Sequence, residues 1–272
     1  MRAHHDSYAH GLMHDLETLL RQTNQRRQTL RWLGAATALP WIGSGAPGNA
    51  AAASSCNTIP DATAGPFPGD GSNRGGGGST ANALGQSGIV RNQLNGSFAG
   101  ASGLAAGVPL SITLKLVNSA ANCASLAGHA VYVWHCDALG RYSMYSPGAV
   151  GENYLRGVQV SNSAGEVSFT SVFPGCYAGR WPHIHLEVFP SLASATHGNK
   201  GIKTSQLALP SASCKAVYAD PRYGGSAAYF AGTSLVGDFV FRDGAVLQLA
   251  SVTGDNAAGY EARLELGVPV RS

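Results

Sequence analysis

The chain has 272 residues, which is enough to bury a full hydrophobic core, and this length indicates one or two domains. Only 12% of the residues are charged, and from Ser54 onward there are 13 basic and 12 acidic side chains. This near-neutral body excludes the concentrated basic face that nucleic-acid binding requires. No run of 18 apolar residues occurs, so we expect no membrane-spanning helix.

Residues 1–53 have the pattern of an export signal rather than of a folded segment. Arg26 and Arg27, with Leu30 after them, fit the twin-arginine pattern, and small-residue cleavage sites follow a weakly apolar stretch. We therefore expect export to the periplasm or outside the cell, with a disordered basic tail as the alternative. Export would place the five cysteines in an oxidising compartment, with at least one thiol left free; Cys176 is expected in a disulfide or as a buried thiol, with a soft metal ligand as the alternative.

The remaining chain divides by composition into a loop-rich arm at residues 54–108 and a body at residues 109–272. Glycine and proline are dense in residues 56–82, where we expect no regular element. Apolar and polar residues alternate in the body, which predicts short strands. The predicted strands cover residues 110–117, 130–135, 157–160, 166–173, 183–189, 204–209, 246–249 and 260–266. This pattern predicts an all-β fold, an antiparallel β-sandwich with long loops, and one helix at residues 211–218.

A cluster of chemically active residues occupies residues 173–185. His183 and His185 are two positions apart at the start of a predicted strand, so both imidazoles point to one face. Tyr177 precedes them on a turn rich in glycine and proline, which can bring its phenol to the same face. Two histidines and a tyrosine in this arrangement are candidate metal ligands, although packing side chains are the alternative. These residues alone do not name the metal.

Two separated signatures resemble those of the intradiol ring-cleavage dioxygenases. The first is a strand with Val-x-x-Trp-x-x-Asp leading to Gly140-Arg141-Tyr142. The second is a Pro-Gly-x-Tyr turn followed by Gly-Arg-x-Pro-His-x-His, which extends from Pro174 to His185. The resemblance extends from Ile59 to the last strands and is closest to the exported, single-chain branch of the family.

The resemblance implies four ligands to a non-haem Fe(III) ion, namely Tyr142, Tyr177, His183 and His185. It also implies that Tyr177 leaves the metal when substrate arrives. Phenolate is a hard, electron-rich anion, so two of them suit ferric iron, whereas the 2-His-1-carboxylate triad suits Fe(II). Zinc is the competing metal, but tyrosine is an uncommon zinc ligand.

Further site residues are implied by the same resemblance. Arg180 matches the arginine that stabilises charge on the bound ring, and Gln206 matches a glutamine near the site. Thr63, Gly65, Pro66 and Phe67 match a segment that approaches the active site, with a loop brace as the alternative. The residues expected to bind substrate are Thr63, Gly65, Pro66 and Trp181.

The activity implied is insertion of both atoms of O2 into a catechol-type diol, with cleavage between the hydroxyls to a muconate-type diacid. Two other classes of protein compete with this interpretation. A transthyretin-like β-sandwich would bind ligands without catalysis, and a zinc hydrolase would act without O2. The sequence leaves open which catechol is the substrate and what the oligomeric state is.

Overall fold

The structure, a computed structural model, describes residues 56–271, and the predicted signal peptide at residues 1–53 lies outside them. Strands are the main elements of this part of the chain. They are β1 Asp70–Arg74, β2 Thr80–Asn82, β3 Pro109–Asn118, β4 Ala124–Ser125, β5 Ala130–Trp134, β6 Arg156–Val160, β7 Glu166–Val172, β8 His183–Phe189, β9 Lys203–Ala208, β10 Ser251–Asp255 and β11 Gly259–Val268. The short helices are α1 Leu192–Thr196, α2 Ser211–Val217 and α3 Ser226–Ala231, with 3-10 turns at Pro221–Tyr223 and Ala245–Leu247. The predicted all-β class is confirmed for the described residues, and α2 confirms the predicted helix, whereas the expectation of that helix alone is wrong because α1 and α3 are also present.

The body contains two principal sheets. One has the order β10-β11-β3-β4, with β7 also paired to β3, and the other has the order β6-β5-β8-β9. Every pair in the second sheet is antiparallel. In the first sheet, β11 runs parallel to β3 from Tyr260 beside Leu110 to Val268 beside Asn118. The prediction of wholly antiparallel pairing is therefore wrong at this pair, because alternation reports which face is buried and not the direction of the neighbouring strand.

The hydrophobic core lies between these two sheets. In β3, alternate residues Leu110, Ile112 and Leu114 are buried and belong to the core cluster. From the second sheet, Val133 of β5 and Leu186 of β8 join the same cluster. This contact between the inner faces buries the apolar positions that predicted the strands.

The outer face of the second sheet is also covered. Every residue of β8 is buried, so its polar side chains lie against protein and not against solvent. Ile184 and Leu186 face the core, whereas His183 and His185 alternate with them and face the other way. A second apolar cluster, which includes Tyr132, lies on this outer side. The arm supplies part of it through residues Ala81, Ala83, Leu84 and Ile89.

The arm contains a hairpin that the sequence did not predict. Asp70–Arg74 pairs with Thr80–Asn82, so the expectation of no regular element in residues 56–82 is wrong. The glycine run forms the turn between these strands, and a Cβ on Gly75 would lie 2.6 Å from the carbonyl oxygen of Met144. Glycine is needed at this position because the hairpin backbone lies directly against the body.

The predicted strand at residues 246–249 is also wrong. Residues Ala245–Leu247 form a 3-10 turn, and Val246 is 88% exposed. The strand that pairs with β11 begins later, at Ser251. A short alternating run carries the same pattern in an exposed turn and in an edge strand, so periodicity could not separate the two.

One disulfide joins Cys56 to Cys123, and the segment of chain that it closes into a loop contains most of the arm. The other three cysteines, Cys136, Cys176 and Cys214, are buried thiols. Cys176 is therefore a buried thiol, one of the predicted outcomes, and is not in a disulfide. Between residues 56 and 271, no helix is long and apolar enough to cross a bilayer.

Candidate metal centre

Strand β8 brings two imidazoles together, because its first and third residues, His183 and His185, lie on the same face. The Nε2 atoms of His183 and His185 lie 3.2 Å apart. Nδ1 of His183 lies 2.5 Å from the carbonyl oxygen of Trp181, and a carbonyl can only accept, so Nδ1 carries the proton. The lone pair of His183 is therefore on Nε2, the atom that faces His185. The His185 ring stacks on Trp134 at 4.9 Å with an interplanar angle of 8°.

Two phenols meet the imidazoles at the same place. The hydroxyls of Tyr142 and Tyr177 lie 3.3 Å apart. Nε2 of His183 is 3.4 Å from the Tyr142 hydroxyl and 3.1 Å from the Tyr177 hydroxyl. The structure thus brings together all four residues that the sequence predicted as ligands. Two oxygens and two nitrogens face one point from a strand and two separate loops.

The loops that carry the phenols are held against each other. A carboxylate oxygen of Asp137 accepts hydrogen bonds from the backbone NH groups of Leu139 and Arg141, which shapes the turn before Tyr142. Gly140 in this turn has φ +76°, and a Cβ there would lie 3.1 Å from Cβ of Tyr177. Glycine at this position therefore permits both the turn and the close approach of the second phenol loop.

Burial makes all four donor groups neutral in the absence of a cation. Desolvation raises the pKa of Tyr142 well above its ordinary value and raises the pKa of Tyr177 as well. Desolvation, followed by the charge of Arg180, lowers the pKa values of His183 and His185 well below the ordinary value. The phenols therefore keep their protons and the imidazoles stay unprotonated, and a bound cation would be needed to favour the phenolates.

Arg180 lies beside the four donors and is fixed by two partners. Its Nε donates to Oδ2 of Asp238 at 2.9 Å, and its Nη2 donates to Oε1 of Gln206 at 2.6 Å. Gln206 in turn donates to the carbonyl of Thr63 at 2.8 Å. The structure thus brings the predicted Arg180 and Gln206 to the site. It also brings Asp238 to Arg180, which the sequence did not predict because no local pattern marks Asp238.

The arm forms one wall of the site. Gly65 has φ +70°, and a Cβ there would lie 3.2 Å from Cε1 of His185. The backbone NH of Gly65 donates to the hydroxyl of Thr63, and the Phe67 ring lies 4.9 Å from the ring of Tyr142. Pro66, between them, accepts from the amide of Asn73 through its carbonyl at 2.7 Å. The structure therefore places the predicted arm residues against the candidate ligands.

A buried arginine fastens the arm to the loop that carries Tyr142. Arg156 is 1% exposed and donates to the carbonyls of Phe67, Pro68 and Ser143 at 3.0, 2.8 and 2.9 Å. It also donates to the hydroxyl of Tyr132 at 3.1 Å. All these acceptors are uncharged, so the guanidinium serves here as a planar set of donors that joins separate segments.

Trp181 occupies a different position from the other predicted substrate residues. Its indole Nε1 donates to the carbonyl of Leu209 at 2.8 Å, and its ring lies 4.9 Å from that of Phe230. The residue lines a cavity of about 650 Å³ together with residues of α2 and α3, including Lys215. Its backbone NH, however, donates to Asp238, which also holds Arg180.

The donor set fits a hard trivalent cation. Across residues 56–271, no three histidine, cysteine or carboxylate side chains come together as a metal site. Any metal at this position therefore depends on the two phenol oxygens. Two phenolates and two imidazoles would supply two negative charges and hard oxygen donors, which suit Fe(III). Zinc sites are typically built from the thiolates, imidazoles and carboxylates that do not gather here.

Known proteins resemble the chain in sequence and in fold. A family model described as "Dioxygenase" matches residues 91–194, which include all four donor residues. An intradiol ring-cleavage dioxygenase from Tetranychus urticae has a similar structure, with 24% identity and a TM-score of 0.54 over 67% of this chain and 88% of that chain. A second dioxygenase crystal structure has 25% identity and a TM-score of 0.52 over the same shares. No curated protein sequence matches the chain.

Proposed function

We propose that this chain is an intradiol ring-cleavage dioxygenase, an oxidoreductase that uses Fe(III) and O2 to cleave a catechol-type diol; the dioxygenase family match and the likeness in fold support this proposal. The observation that carries the proposal is the cluster of four donor atoms from Tyr142, Tyr177, His183 and His185, with neighbouring atoms 3.1–3.4 Å apart. Bound ferric iron would draw electron density from a chelated diol and make its ring reactive towards O2. Both oxygen atoms then enter the product, a muconate-type diacid.

The two tyrosines have different roles in this proposal. Tyr142 is 1% exposed and lies against Phe67, so it cannot move far. Tyr177 is only partly buried and lies on a turn that includes Gly179, where a Cβ would meet nothing within 4 Å. Tyr177 is therefore the phenol that gives way to the diol. Because burial raises its pKa, a Tyr177 phenolate that left the metal would take up a proton, which the diol can supply.

Arg180 supplies the positive charge next to the reacting ring. The side chain is buried, and Gln206 fixes one edge of its guanidinium. A preorganised cation in a water-poor site stabilises negative charge that develops on the bound ring and on oxygen, and removal of one such donor typically costs about 3 kcal/mol of transition-state stabilisation. We therefore assign Arg180 to charge stabilisation and not to metal binding.

The test is oxygen uptake by the iron-loaded protein against a panel of catechols, with ring-opened products identified by mass spectrometry. Iron-loaded protein should also show a visible phenolate-to-iron absorption band. Tyr142→Phe should lose most of this band, whereas the matched control Tyr154→Phe should keep it, because Tyr154 donates to Asp137 and faces no imidazole. A colourless protein without oxygen uptake would favour a non-catalytic binding module, and turnover without O2 would favour a hydrolase.

We further propose that the protein acts in the periplasm or outside the cell. The twin-arginine pattern at Arg26 and Arg27 and the disulfide between Cys56 and Cys123 support this location, because disulfides persist in oxidising compartments. Replacement of both arginines by lysine should retain the protein in the cytoplasm, which cell fractionation would detect. Unchanged export of that variant would contradict the proposed route.

A further inference from the structure

We propose that Asp238 is a positioning residue that holds Arg180 in the orientation the reaction requires. The inference rests on the function proposed above. One carboxylate oxygen, Oδ2, accepts from Arg180 Nε at 2.9 Å and from the backbone NH of Trp181 at 2.7 Å. The other oxygen, Oδ1, accepts from the backbone NH of Val240 at 2.8 Å. The Asp238 side chain is 0% exposed, so no water competes for these bonds.

Three neighbours together leave one edge of the guanidinium available. Asp238 engages Nε, Gln206 engages Nη2, and the ring of Phe239 lies 4.8 Å from the guanidinium carbon. Within the described part of the chain, no residue accepts a hydrogen bond from Nη1 of Arg180. A guanidinium is planar and rigid, so fixing Nε and Nη2 also fixes the direction of Nη1. Nη1 is then the group available to meet charge on a bound ring.

The charge balance of the site explains why the partner must be a carboxylate. Arg180 is joined to the four-donor cluster through Gln206, which lies opposite His185 in the pairing of β8 with β9 and accepts from Arg180 Nη2 at 2.6 Å. A ferric ion in that cluster would repel an unpaired guanidinium. Loss of the carboxylate would also leave a buried arginine unpaired, which strongly destabilises the folded protein. Asp238 offsets both effects and keeps the cation close to the reacting centre.

The loop that carries Asp238 is tied to the histidine strand at a second point. Phe241 is fully buried, and its ring lies 6.3 Å from the ring of His183. The backbone NH groups of Phe241 and Arg242 both donate to the carbonyl of Asp238, at 3.2 and 3.0 Å. The packing of its own loop therefore sets the position of the Asp238 carboxylate, and the carboxylate in turn sets the position of Arg180.

Asp238→Asn is the first variant to test, with Asp220→Asn as the matched control. Asp220 also pairs with an arginine, Arg222, but that arginine is 43% exposed. The hydrogen bonds of this pair do not involve the four donor residues or Arg180. In Asp238→Asn we expect kcat to fall about 10- to 100-fold, as for other partners that orient a reacting group, with KM and the visible iron band little changed. Asp220→Asn should behave as the unmodified protein. A wild-type kcat in Asp238→Asn would overturn the proposal.

A double-mutant cycle separates positioning from simple structural support. In an Arg180→Gln background, Asp238→Asn should lower kcat less than 3-fold, because the group it positions is already gone. The thermal midpoint of the metal-free protein should follow the same rule, since Arg180→Gln removes the unpaired buried charge and so restores part of what Asp238→Asn loses. Equal losses in both backgrounds, in kcat or in the midpoint, would show that Asp238 does not act through Arg180.

Asp238→Glu keeps the test decisive if Asp238→Asn does not fold. The added methylene retains the charge but displaces the carboxylate, so we expect a folded protein with kcat lowered about 10-fold. A wild-type kcat in Asp238→Glu, with Asp238→Asn unfolded, would reduce Asp238 to a stabilising residue and overturn the proposal. If the unmodified iron-loaded protein consumes no O2 with any catechol, the proposed function fails first, and the thermal cycle on metal-free protein still reports whether Asp238 and Arg180 are coupled.

Discussion

A methyl group added at Gly65 tests whether the arm wall positions His185. Gly65→Ala has two effects that can be separated. The first is backbone strain, because φ +70° lies in the left-handed region, where a non-glycine residue costs about 1–2 kcal/mol. The second is contact, because the new Cβ would lie 3.2 Å from Cε1 of His185, so the imidazole must move by a few tenths of an ångström. Trp134 stacks on that ring and limits where it can go.

Gly78→Ala is the matched control for the strain alone. Gly78 has φ +82° and meets nothing within 4 Å, so its substitution carries the backbone cost without a new contact. For a domain of this size, about 1 kcal/mol corresponds to a fall of 2–4 °C in Tm. We expect Gly78→Ala to lose that much and to keep a normal visible iron band.

Gly65→Ala should lose at least as much stability as Gly78→Ala and should also bind iron about 10- to 100-fold more weakly, the usual cost of disturbing a ligand's support. The measurements are thermal unfolding of both metal-free variants and titration with ferric iron followed by the visible band. If Gly65→Ala and Gly78→Ala bind iron equally well, the arm does not position His185, and the reasoning from the Gly65 contact is refuted.

Three further predictions concern stability. Arg156→Met should destabilise the protein by about 3–5 kcal/mol, because it leaves the carbonyls of Phe67 and Ser143 without a donor and that of Pro68 with the Tyr132 hydroxyl alone, and urea unfolding should show a far smaller loss in the exposed-pair control Arg263→Met. Burial lowers the pKa of His135 from 6.5 to about 4, so the unfolded chain binds more protons between these values and stability should fall as pH drops from 6.5 towards 4. His135→Gln should flatten this slope by up to about 1.4 kcal/mol per pH unit, and an unchanged slope would contradict the assignment. Reduction of the disulfide between Cys56 and Cys123, which are 67 residues apart, should cost about 4 kcal/mol, as unfolding with and without reductant in wild type and Cys56→Ser would measure.

Much of the fold could be predicted because the alternation of polar and apolar residues along a segment reports which side chains are buried. Strand β3 illustrates this, since its polar and apolar residues alternate in sequence and in exposure. The same logic predicted a strand at residues 246–249, where an equally alternating run forms an exposed turn. Local periodicity also says nothing about the parallel pairing of β11 with β3, which depends on how the whole chain returns to the first sheet.

The candidate ligands could be predicted because their geometry is local. His183 and His185 share a strand face, and Tyr177 is on the turn that leads to it. Asp238 differs, since it lies 58 residues from its partner Arg180 and in a segment with no pattern of its own. A contact of that kind is specified by the packing of loops, so it appears only when the chain is folded.

The hydrogen-bonded cluster of phenols and imidazoles has a consequence for how a metal enters. Burial raises the pKa of both phenols, so each still carries its hydrogen at neutral pH. A trivalent ion that bound through both oxygens would expel two hydrogen ions into solution. The apparent association constant would then climb about a hundredfold for each unit of rising pH. Loading would therefore exchange hydrogen ions for the metal, so acid should weaken the binding of the metal.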